Sequence, residues 1–111
     1  MTDFIVILVT TGSEAEAEKI ARALVEERLA ACVNILNPMR SIYRWEGKIA
    51  ADREWLLLIK TRAASVSAVE TRVKALHSYQ VPEVIALPIL TGSAEYLRWL
   101  GEETVDEEVR R

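Results

Sequence analysis

The sequence predicts an α+β fold in which an antiparallel sheet carries helices on one face. Three observations predict it. Short runs rich in Ile and Val alternate with amphipathic stretches in the order β-α-β-β-α-β, followed by one more helix. The two central strands form one long hairpin over residues 41–61, turning at Glu46-Gly47. The chain has 111 residues, enough for one domain over 1–111 and not for two. That element order is the ferredoxin-like split βαβ pattern, with both crossover helices on one face of a four-stranded sheet.

Residues 4–10 are the first strand. Thr11-Gly12-Ser13 breaks it, and Ser13 with Glu16 reads as a capping box: the hydroxyl takes a backbone N–H and the carboxylate reaches back. The helix over 14–30 puts Ala17, Ile20, Ala21 and Leu24 on one face and charges on the other. A second strand covers 32–36. Asn37-Pro38 bends or bulges it, because proline cannot donate to a ladder, and pairing resumes through 41–45. The hairpin partner spans 48–61. A helix over 64–76 carries Val66, Val69, Val73 and Leu76 on one face. After the loop His77-Ser78-Tyr79-Gln80, a fourth strand is expected over 81–90, interrupted by Pro88. Thr91-Gly92-Ser93 caps a last helix over 94–105, and the charged tail beyond it is expected to fray.

The composition is that of a globular chain, half apolar and 28% charged. Fourteen basic against seventeen acidic residues give a charge of −3, which argues against a nucleic-acid partner. No stretch approaches the ~20 apolar residues of a membrane helix, and the start Met1-Thr2-Asp3 lacks a signal peptide's basic region. One cysteine, Cys32, excludes an intrachain disulfide. A soluble, cytoplasmic protein is the expectation.

Antiparallel strands usually alternate apolar and polar, since one face meets water. Here Ile5 to Val9, Trp55 to Ile59 and Val84 to Leu87 are apolar on both faces. Trp55, Leu57 and Ile59 point one way, Leu56 and Leu58 the other. A bare face built of three such strands would exceed the apolar patch a monomer usually exposes. The expectation is a homo-oligomer of closed symmetry, its sheets packed on one another.

Several motifs, in order, resemble one family. They are Cys32-Val33-Asn34-Ile35, Ser41-Ile42-Tyr43-Arg44-Trp45-Glu46-Gly47-Lys48, the run 57–61, His77-Ser78-Tyr79-Gln80-Val81-Pro82-Glu83, and Tyr96-Leu97-Arg98-Trp99-Leu100. The chain is identified by them as a member of the CutA family, the small divalent-cation tolerance proteins. The resemblance implies a ferredoxin-like protomer assembled as a homotrimer, with hairpins reaching across to neighbouring copies much as in the PII signalling proteins. It also implies tolerance of copper and other divalent metals, and no catalytic reaction. Two positions depart from the family pattern. Ser78 stands where a proline often follows the histidine, which predicts a less rigid loop. Val9 stands where some members carry a cysteine, which removes a soft copper(I) ligand.

Three residues are candidate metal ligands. His77, the only histidine, and Glu83 offer nitrogen and oxygen donors in one loop. The plainer reading of His77 is a loop histidine at a helix end. Cys32 is a soft donor, although a free strand cysteine is usually a small hydrophobe. Tyr43, Trp45, Glu54, Lys60, Tyr79 and Pro82, with Glu83, are candidates for an inter-subunit cleft, Lys60 supplying charge and the carboxylates acceptors. The plainer reading is that they stitch subunits together, as interface aromatics do.

The leading function is a non-enzymatic trimeric divalent-metal protein, with copper or another divalent cation as ligand. The alternative is a PII-like sensor of a small molecule in the cleft. An RNA-binding reading requires stacking aromatics on the open face, which here is aliphatic. An acylphosphatase-like reading requires an arginine after the first strand, where Thr10-Thr11-Gly12-Ser13 has none.

Overall fold

The structure is a computed structural model and describes residues 1–105. The elements run β1 (Phe4–Thr11), α1 (Glu14–Glu26), β2 (Cys32–Ile35), β3 (Met39–Trp45), β4 (Lys48–Arg62), α2 (Val66–Leu76), β5 (Ile85–Pro88) and α3 (Ala94–Glu102). A 3-10 turn, Ala63–Ser65, leads into α2. The fold is α+β with one antiparallel sheet in the order β2-β4-β1-β5.

β4 organises this sheet. Its second half pairs with β1 on one edge, from Thr11 opposite Trp55 to Phe4 opposite Arg62. Its other edge holds β2 and then β3, from Cys32 opposite Lys60 to Trp45 opposite Lys48. Leu36, Asn37 and Pro38 bridge those two strands as an unpaired bend, with the Leu36 N–H still donating to Leu56 O. Beyond Trp55 nothing among the described residues extends the sheet past β3 and β4, so they project as a two-stranded ribbon. It closes on Glu46 (φ 49°) and Gly47 (φ 79°), both left-handed, as a two-residue hairpin loop that matches strand twist requires.

Period-two alternation sorts β4. Leu57 and Ile59 join Ile5, Ile7 and Val9 under Ala17, Ile20, Ala21 and Leu24 of α1 and Val69 and Val73 of α2. That is the core. Opposed residues share a face, so the other face carries Val6, Leu8, Leu56, Leu58, Ile85 and Leu87. α3 covers only one end of it: Arg62 donates to Gly101 O (2.6 Å) and Thr104 Oγ1 (2.9 Å), and Lys60 lies beside Tyr96. Ile85 and Leu87 stay 50% and 48% exposed, so the second face is apolar and open in this chain.

Several boundaries differ from the sequence reading. The α1 helix stops at Glu26 rather than Ala30. Arg28 takes φ 61°, and the N–H groups of Leu29 and Ala30 donate to Leu24 O, a C-terminal motif that usually advertises itself with glycine. The helix α2 starts after the 3-10 turn, and α3 ends at Glu102. The expected strand over 81–90 shrinks to Ile85–Pro88. Pro88 sits on an edge strand, where its missing donor costs nothing. The capping box is half made: Ser13 Oγ accepts from Glu16 N (3.2 Å), but the Glu16 carboxylate goes elsewhere. The expected fraying of the charged tail falls on 106–111, outside the described residues.

Leu24→Ala should empty a fully buried site between α1 and the sheet. The expected loss is about 2–5 kcal/mol, read as a lower denaturant midpoint at unchanged m-value.

Candidate functional site

The loop after α2 is held in three places. His77 caps that helix, its N–H donating to Val73 O, and its side chain is fully buried. Nε2 lies 2.7 Å from the Thr10 carbonyl, which can only accept, so Nε2 carries the proton. Nδ1 therefore presents its lone pair and accepts the Tyr79 N–H at 3.0 Å. The imidazole is a neutral pin between β1 and the loop, with both nitrogens engaged.

Glu16 supplies the second hold. Its carboxylate accepts from the Ser78 N–H and from Ser78 Oγ, at 2.5 and 2.9 Å, and stands 3.4 Å from His77 Nδ1. This reverses the expected consequence of Ser78. A proline there has no N–H to give. Serine gives two donors, and α1 takes both, so rigidity comes from hydrogen bonds instead of a ring.

Tyr79 is the third hold. Its phenol donates to Glu54 Oε2 at 2.9 Å, and its ring tilts against His77 with centroids 4.6 Å apart. Gly12 makes the path for it: a Cβ there would stand 3.0 Å from the Tyr79 hydroxyl. Burial, and then the Glu54 carboxylate, raise the Tyr79 pKa well above its ordinary 10.0. Glu54 itself is 7% exposed. Two positions along β4, on the same face, Asp52 accepts the Tyr43 hydroxyl, and this bond raises the Tyr43 pKa. Burial and the Glu54 charge also raise Glu83.

The structure thus brings together Tyr43, Glu54, Tyr79 and Glu83, and adds Asp52. It separates the other candidates. Trp45 is opposite Lys48 at the ribbon tip, about 20 Å along the strand from the Glu54 level. Lys60 is six positions from Glu54 in the other direction, opposite Cys32, with Nζ 3.5 Å from Tyr96 Oη. Cys32 is partly buried and its Sγ is 3.8 Å from Asn34 Oδ1. Pro82 lies partly buried in the loop that carries Tyr79 and Glu83. Among the described residues no three His, Cys, Asp or Glu side chains are grouped to hold a metal ion. A cleft of about 590 Å³ between the end of α1 and α3, lined by Val25, Arg28, Trp99 and Glu103, contains none of the candidates. Sequence alone assigns no site role to Asp52, Gly12 or Glu16. Asp52 alone had a signal, its period-two spacing from Glu54.

The sequence profile described as "CutA1 divalent ion tolerance protein" matches residues 5–103. The chain belongs to the CutA1 family. It is 57% identical over 99 residues to the divalent-cation tolerance protein CutA of Thermus thermophilus, spanning 89% of this chain and 96% of that one. It is 49% identical over 100 residues to the chloroplastic protein CutA of Arabidopsis thaliana, where 90% of this chain covers 55% of the relative. Among solved structures, the Thermus thermophilus divalent cation tolerance protein superposes with TM-score 0.90 at 55% identity, covering 92% of this chain and 99% of that one. CutA from Xylella fastidiosa gives TM-score 0.91 at 47% identity, covering 94% and 100%. The family is named for divalent-cation tolerance and not for a reaction. No helix among the described residues is long and apolar enough to cross a membrane.

Two outcomes follow from this geometry. Glu54→Gln removes a charge that opposes phenolate formation, so Tyr79 should titrate at lower pH, followed by phenolate absorbance. The sign is fixed by the raised native value: the stabilisation is present below pH 10 and lost as pH rises through the native pKa. Glu16→Ala should speed amide exchange at Ser78 and Tyr79 about tenfold while leaving Leu24 unchanged.

Proposed function

We propose that this protein is a non-enzymatic divalent-cation tolerance factor, one CutA-like domain over 1–111, which works as a ferredoxin-like homotrimer and binds copper or another divalent cation between its copies. The supporting observation is the open apolar face of Val6, Leu8, Leu56, Leu58, Ile85 and Leu87. It is continuous across three strands and only its end meets α3, which a second copy would cover. The family name and the Thermus thermophilus relative support the cation.

The donors of one copy are scattered, so ligation is a property of the assembly. Glu83 is exposed, next to Glu54 and free of any salt bridge among the described residues, which makes it the best-placed oxygen donor. His77 joins a metal only by giving up the Tyr79 N–H or Thr10. Cys32 is a soft donor at the far end of the same sheet face. A cytoplasmic setting fits the single free thiol.

A second reading, a PII-like sensor of a small molecule, draws on the phenols Tyr43 and Tyr79 around the buried Glu54 carboxylate, with Trp45, Pro82 and Lys60 contributed across the cleft.

Sedimentation at micromolar concentration should give three copies, and a stable monomer would sink the trimer. Copper(II) calorimetry on the trimer should show binding weakened about tenfold in Glu83→Gln and nearly unchanged in His77→Gln. Saturable nucleotide or metabolite binding without cation binding would replace the first reading by the second.

A further inference from the structure

The cleft of about 590 Å³ between the end of α1 and α3 lies apart from the candidate site. Val25 and Trp99 are its apolar wall and stay 42% and 39% exposed. Glu26, Arg28 and Glu103 are its rim. Two helices end there, α1 at Glu26 and α3 at Glu102. A helix C-terminus carries partial negative charge and favours a cation in its last turn. Neither helix has a basic residue in its last turn. Each ends instead on a pair of acids, Glu26-Glu27 and Glu102-Glu103. Negative charge therefore gathers at this cleft from two directions.

Arg28 answers part of it. Its Nη2 donates to Glu102 O at 2.9 Å and its Nε to Glu103 O at 3.4 Å, with Nη2 3.7 Å from the Glu103 carboxylate. Glu27 is taken by Arg72 of α2 at 2.8 Å. Among the described residues no cation lies within salt-bridge distance of Glu26 or Glu102.

The chain is steered to this rim. The buried Thr104 hydroxyl donates to Leu100 O and accepts from Arg62 Nε. The Val105 N–H then donates to Arg28 O at 2.9 Å. Residue 106 thus follows directly on the cleft wall. Residues 106–111 read Asp-Glu-Glu-Val-Arg-Arg, and they lie outside the 5–103 stretch that matches the family. Six residues reach up to about 20 Å, and Val25 is only three positions before Arg28. The segment carries what the cleft lacks: one apolar side chain and two guanidinium groups.

We propose that this cleft is a docking site for the chain's own segment 106–111. Val109 packs on Val25 and Trp99, while Arg110 and Arg111 meet Glu26 and the carbonyl ends of α1 and α3. The ligand class is a short basic segment with an apolar residue. Tethering supplies an effective concentration in the millimolar range, so contacts too weak to hold a free peptide suffice. The strap ties α3 to α1 and covers the indole. It depends neither on a bound cation nor on the number of copies.

Backbone relaxation on the full chain tests it, with circular dichroism as the check on folding of each variant. Docking gives order parameters of about 0.8 at 109–110, falling below about 0.6 in Arg110→Glu with Arg111→Glu. Salt at about 1 M, where the screening length is about 3 Å, should lower them as well. In Trp45→Phe with Trp55→Phe, Trp99 is the one indole left. Removing 106–111 from that variant should raise acrylamide quenching. Val25→Cys with Val109→Cys, in Cys32→Ser, should close a disulfide within one chain under mild oxidation. Order parameters below about 0.6 throughout 106–111 of the unaltered chain overturn the proposal. Equal quenching with and without the segment also overturns it, since the cover then lies elsewhere. A disulfide formed only between chains gives the cleft to a neighbour's segment and overturns docking within the chain.

Discussion

Strand β4 is the constraint on which the rest of the structure depends. It carries fifteen residues, more than β1 can pair. Its second half must lie in the sheet between β1 and β2, because Leu57 and Ile59 have a core to fill. Its first half then has β3 alone as partner. One strand therefore serves as the middle of a sheet at one end and as half of a free ribbon at the other. The register that buries Leu57 and Ile59 also fixes Glu54 on the opposite face, since a slip of one residue would exchange the two faces.

The candidate site hangs from that register. Glu54 is placed by β4, but its partner Tyr79 comes from the loop after α2. A chain of bonds brings it there: Thr10 O to His77 Nε2, His77 Nδ1 to Tyr79 N, and the Tyr79 phenol to Glu54. Glu16 adds a brace from α1 through Ser78. Histidine in this arrangement is a fixed tautomer that orients a backbone, and its chemistry is that of two directed hydrogen bonds. Asp52 and Glu54 accept the phenols of Tyr43 and Tyr79, and burial followed by the Glu54 charge raises the Glu83 pKa. Such an arrangement suits a surface finished by another copy or by a cation, as proposed above.

Elements with a period were legible in the sequence. The alternation 55–59, the heptad-like spacing of Ala17, Ile20, Ala21 and Leu24, and Glu46-Gly47 at the turn all appear where expected. Endings without a residue signature were not. Arg28 in a left-handed conformation closes α1 with no glycine to announce it. Pro82 and Pro88 shorten the last strand more than its apolar run suggests. The capping box misled because Glu16 had a better offer from Ser78 than from its own helix.

What the sequence determined by itself was local and periodic: the α+β order of elements, which side chains share a face, and the excess of apolar surface on a second face. Family motifs added the CutA1 assignment. What only the tertiary structure decided was partnership. His77 and Thr10 are 67 positions apart, Ser78 and Glu16 62, and Tyr79 and Glu54 25. No spacing rule links such pairs, because the distance between them is set by how the α2 crossover returns the chain across the sheet. The same physics separates Trp45, Lys60 and Cys32 from the carboxylate cluster. Residues on one strand share a face but stay apart along it, at about 3.3 Å for each position.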